Sequence, residues 1–167
     1  TYRPLDSCRA CNPLDRRDRT ISASGYRLRA LCHLGQRNLI LALEDILEVW
    51  RLDPVSTLAF TDFLTLAEAR CNLSDLDAAF EAAQSSLIQN PNYVWTYLLL
   101  ARIHACRGEL GAARKNLDEA ARITPSLIHL METDPLGRYD RTLFKEADWS
   151  PPTVAPCFRV VTDSSFS

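Results

Sequence analysis

Apolar and polar positions alternate with a helical period over most of the chain, and the apolar stretches are separated by short clusters rich in Pro, Gly, Asn, Asp and Ser. This pattern predicts six helices, at 22–34, 38–51, 56–71, 75–89, 92–106 and 110–122. Asp53, Asn90 and Thr124 each precede a proline, which predicts an N-cap followed by Pro at the first helical position, where the missing amide hydrogen costs nothing. Ser74 with Asp77 three residues on reads as a capping box for the fourth helix. Gly35 and Gly108 fall at turns where a positive φ is expected.

The helices come in a repeat. Pro91 and Pro125 are 34 residues apart, and other slots keep the same register: Phe63 with Tyr97, Leu66 with Leu100, Ala67 with Ala101, Ala79 with Ala113. An upstream copy ends at Pro54, with Tyr26 in the aromatic slot, Ala30 in the small slot, and Ala42, Ile46 and Val49 in the second helix. It departs in two places. Arg29 stands where Leu is usual, and the middle copy is three residues longer near Val55 to Ala59. A longer first helix or a longer loop can absorb that insertion.

These residues resemble the tetratricopeptide repeat, a helix-turn-helix of about 34 residues with the pattern W-x-x-L-G-x-x-Y, A-x-x-x-F and P. The resemblance implies an all-α, right-handed α-solenoid of three helical hairpins over residues 22–127 (22–56, 57–93 and 94–127). Alanines stand where two helices touch, and bulky residues fill the space between copies, because one hairpin cannot bury its apolar face alone. Around the array, residues 1–21 read as a polar lead-in. Residues 128–148 read as a capping helical segment, and 149–167 as a proline-containing extended tail that either caps the array or occupies its groove.

In this family the concave groove is lined by first-helix side chains. Carried onto this chain, that face comprises Arg27, Leu31, Leu34, Leu64, Glu68, Asn72, Trp95, Leu98 and Arg102. An apolar peptide segment bearing a few charges is the implied ligand, with Trp95 either anchoring it or packing between copies. Members that bind acidic chaperone tails use a Lys and Asn clamp along the groove. Apart from Asn72 that set is missing, which argues against a chaperone adaptor.

Composition narrows the classes further. The chain has 167 residues, 47% hydrophobic and 24% charged, enough apolar content to bury a core. Its formal net charge of −2 supplies no positive field to collect nucleic acid or an anionic membrane. No run reaches the length of a membrane span, since Glu44, Asp45 and Glu48 break the stretch from Asn38 to Trp50. The chain begins at Thr1 without a signal-like apolar segment and reads as a fragment of a larger protein or a processed form. Its compartment reads as cytoplasmic.

Candidate chemistry is sparse. Cys8 and Cys11 form a C-x-x-C, but structural zinc needs four ligands and no second pair follows. A redox C-x-x-C belongs at a helix start in a βαβ context, which this chain does not offer. Cys32, Cys71 and Cys106 fall within helices and read as reduced, small buried hydrophobes. His33 and His104 occupy the second aromatic slot of their copies and read as packing residues. Glu44, Asp45 and Glu48 read as a solvated helix face. No nucleotide-binding, nucleophile-elbow or zinc-protease motif is present. No metal, cofactor or catalytic residue is expected.

The functional expectation is a non-catalytic protein-protein interaction scaffold that takes a peptide or partner helix in the concave groove, with its oligomeric state left open. Two other classes stand beside it: a regulatory module of a larger bacterial signalling or transcriptional regulator, and a redox or metal-dependent protein using Cys8 and Cys11.

Overall fold

The computed structural model describes residues 22–126. Cys8, Cys11, the lead-in, the capping segment and the tail lie outside the described residues. Six helices follow in order: α1 (Ala23–Gly35), α2 (Leu39–Leu52), α3 (Ala59–Asn72), α4 (Leu76–Gln89), α5 (Val94–Cys106) and α6 (Leu110–Ile123). Among the described residues there is no strand. The helices pack in adjacent pairs, α1 with α2, α3 with α4 and α5 with α6, and successive pairs adjoin through α2 against α3 and α4 against α5.

The pairing follows from side-chain size. Ala30, Ala42, Ala67, Ala79, Ala101 and Ala113 are all exposed by 2% or less. A side chain that ends at Cβ lets two helix axes approach closely, so these positions are filled by the neighbouring helix instead of solvent. Larger residues then form the core between pairs. Leu64, Ala67 and Cys71 of α3 meet Ala79, Ala82 and Ala83 of α4 and Leu99, Leu100 and Ile103 of α5. Fully burying a Leu or Ile there contributes about 1.5–3 kcal/mol. A smaller cluster of Leu34, Ala42 and Ala69 ties the first pair to α3.

The helix ends differ from the sequence expectation. Asp53, Asn90 and Thr124 terminate α2, α4 and α6, their N–H groups donating to the carbonyls of Val49, Ser86 and Ala120. Proline drives its preceding residue toward extended backbone, and these three have φ of −142°, −144° and −131°. Each Asp/Asn/Thr-Pro pair is therefore a stop signal, and after Asp53 and Asn90 the next helices begin only at Ala59 and Val94.

The capping box is displaced too. Asp75, not Ser74, caps α4, its side chain accepting from the Ala78 N–H. Ser74 instead has a φ of 76°. It shares that left-handed turn with Arg37 (61°) and Gly108 (76°) at matching positions of the other two pairs. Gly108 meets its expectation, whereas Gly35 is the last residue of α1 and Arg37 takes the strained position.

Of the three extra residues of the middle copy, two lengthen the loop and one extends the start of α3, which has 14 residues against 13 in α5. Residues 53–58 separate α2 from α3, against residues 90–93 between α4 and α5. Ser56 organises the longer loop by accepting from the Leu58 N–H at 3.0 Å.

Candidate functional site

The first helices of the three pairs adjoin one another, α1 with α3 and α3 with α5, so their side chains form one continuous face. The residues the sequence assigns to it divide into three groups. Leu34, Leu64 and Leu98 are buried core members, and Glu68 is buried as well. Trp95 is half-buried and packs against the clusters on both sides of α5. Leu31, Asn72 and Arg102 offer surface: Leu31 is exposed, and the Arg102 guanidinium donates to Asn72 Oδ1 at 3.3 Å. The Arg102 to Asn72 bond joins α5 to α3 across that face.

Arg27 is committed inside the fold. Its Nε donates to Asp62 Oδ1 at 2.8 Å and its Nη2 to Asp62 Oδ2 at 3.1 Å, a bidentate pair from α1 to α3. The same Nη2 donates to Ser56 Oγ at 2.7 Å and Asp53 Oδ2 at 3.2 Å. One guanidinium thus fastens both ends of the long loop. Hydrogen bonding to Asp62 holds the Arg27 pKa above its ordinary value, with burial acting the other way. The Asp62 pKa is also raised, because burial outweighs the bonds from Arg27 that would lower it.

The Arg29 substitution has its compensation in the same hairpin. Arg29 donates to both carboxylate oxygens of Asp45 and lies over the Tyr26 ring at 4.7 Å. Asp45 is buried, which corrects its reading as part of a solvated face. His33 is buried beside it, Nε2 3.8 Å from Asp45 Oδ2. Burial lowers the His33 pKa despite the pull of Asp45. His104 makes an edge-on contact with Phe80 and bonds Glu109 through Nδ1, as a packing residue does.

Sequence reasoning missed Asp53, Ser56 and Asp62 as partners of Arg27. A signal for them exists in the register. Arg27 shares its slot with Leu64 and Leu98, and Asp62 shares its slot with Thr96, so the step from the first copy to the second carries opposite charges where the step from the second to the third carries Leu64 and Thr96.

Cys32 and Cys106 each take part in a disulfide, which corrects their reading as reduced thiols, and Cys71 is free and buried. Among the described residues no group of three His, Cys, Asp or Glu could hold a metal ion, and no helix is long and apolar enough to cross a membrane. Comparison with known proteins finds no matching family model and no matching curated protein.

Proposed function

We propose that this chain is a non-catalytic protein-binding scaffold of the tetratricopeptide type, taking a peptide segment along the face made by α1, α3 and α5. The observation that carries this reading is the pairwise stacking with alanine at every matching helix contact. First helices approach one another, whereas α2 and α4, or α4 and α6, have no comparable contact. A stack spaced more closely on one side curves toward it, so the face becomes concave, and the right-handed superhelix of the family is the hand this reading expects. Leu31, Asn72, Arg102 and the accessible part of Trp95 are the side chains through which a peptide is read. Leu64, Leu98 and Glu68 support that surface from beneath, and Arg27 sets the spacing of its first two helices.

The test is selection of binders from a random peptide library on the intact chain, followed by titration against Leu31→Glu, Arg102→Glu and a control on the second-helix side, Glu81→Lys. Both face substitutions weaken the selected peptides at least about tenfold, as expected of central interface positions, and the control leaves them unchanged. Peptides that bind all three variants alike would remove this face from consideration.

A further inference from the structure

A cavity lies beside the long loop between the first two helix pairs. It lies where the long loop crosses between the ends of α2, α3 and α4, and its volume is about 430 Å³, within the range of ligand pockets. Trp50 and Phe63 form one wall, ring centroids 5.3 Å apart and tilted by 50°. Val55, almost wholly exposed, stands at the rim. The polar lining comprises Asp53, Ser56 and Gln89, and among the described residues Asp53 is the only charged member.

The charge balance at Asp53 gives the site a preference. Arg27 is shared between two carboxylates, and Asp62 takes the bidentate bond. Asp53 receives a single N–H at 3.2 Å and its side chain is 39% exposed. One guanidinium facing two carboxylates leaves a net negative charge, and the accessible share of it lies on the cavity wall. An aromatic face beside that carboxylate attracts a cation by its quadrupole as well as by charge.

We propose that this cavity binds a small organic cation, an ammonium group joined to an aromatic or compact apolar body, with the body against Trp50 and Phe63 and the ammonium at Asp53. Ser56 Oγ is occupied as an acceptor by Arg27 and by the Leu58 N–H, so Asp53 supplies the recognition. This site is independent of peptide binding on the first helices.

Calorimetric titration of the intact chain with phenethylamine, and with phenethyl alcohol as its neutral counterpart, tests the proposal. The amine gives saturable one-to-one binding about tenfold tighter than the alcohol, the size expected of a partly exposed ion pair with a cation–π contribution. Asp53→Asn abolishes the difference between the two probes. Because that variant also touches the Arg27 clamp, Gln89→Lys is the second arm: it places a cation at the rim without disturbing the clamp, and the amine loses its preference there too. Equal binding of both probes, absence of saturable amine binding, or an amine preference unchanged in Gln89→Lys would overturn the assignment.

Discussion

The two joints of the stack solve one packing problem by different means. Between the first and second pairs, Arg27 reaches Asp62, Asp53 and Ser56 around a long loop, and Trp50 meets Phe63 over a cavity. Between the second and third pairs the loop is short. There Ser86 Oγ donates to the Phe60 carbonyl at 2.8 Å and lies 2.8 Å from Thr96 Oγ1, while Phe60 packs edge-on to Tyr93 at 4.7 Å. The slots correspond: Arg27 answers to Leu64, and Asp62 to Thr96, both of the latter pair fully buried or nearly so. A bulky apolar residue with a small hydroxyl in one joint, and a guanidinium with a carboxylate in the other, thus fill corresponding slots. The charged filling accompanies the longer loop because a guanidinium with several N–H donors can bind the loop as well as the neighbouring helix.

The largest effect in this comparison comes from splitting the charged pair. Arg27→Leu leaves Asp62 nearly inaccessible and without its bidentate partner, so it must either stay buried as an unpaired charge or take up a proton, and the change is expected to cost about 3–5 kcal/mol in chemical denaturation. The double change Arg27→Leu with Asp62→Thr imports the second joint's filling into the first. It should recover most of that loss, since replacing a buried ion pair by fitting neutral residues is often near neutral. A double variant as unstable as the single one would mean that the joints are not equivalent, and that the loop contacts to Asp53 and Ser56 dominate.

The contacts within each helix pair, by contrast, are alike in all three copies. Ala67→Leu and Ala101→Leu are each expected to lose roughly 1–3 kcal/mol by forcing the paired axes apart. Unchanged melting temperatures in both would undo the register on which the pairing rests. These alanines were legible in the sequence because size at a helix contact is a local property that recurs with the period. The charged clamp was not, since its members lie far apart in the chain and only three-dimensional packing brings Arg27 to Asp62. Asp45 was misread for a related reason: a carboxylate on an amphipathic helix belongs by default to the solvent face, and only its pairing with Arg29, itself out of pattern, takes it inside. The proline signals were seen and given the wrong sense, because an Asp or Asn before proline is compatible with starting a helix or with ending one. The groove residues divide along the same line. Helical period places them on first helices, but which of them are covered depends on neighbours that the period does not name.

The smallest effect lies in the turns inside the pairs, where all three copies require a positive φ and only one supplies glycine. A side chain in that conformation costs about 1 kcal/mol, so Arg37→Gly and Ser74→Gly should each raise stability by up to about 1 kcal/mol, reduced by the extra freedom glycine gives the unfolded chain. Gly108→Ala should lose about the same amount even though a Cβ there would meet nothing within 4 Å, because the strain resides in the backbone and not in the packing. Melting curves of the three variants compare like positions in three settings. If Gly108→Ala were neutral while Arg37→Gly stabilised, the turns would differ in strain despite matching angles, and the copies would be less equivalent at their turns than at their alanines.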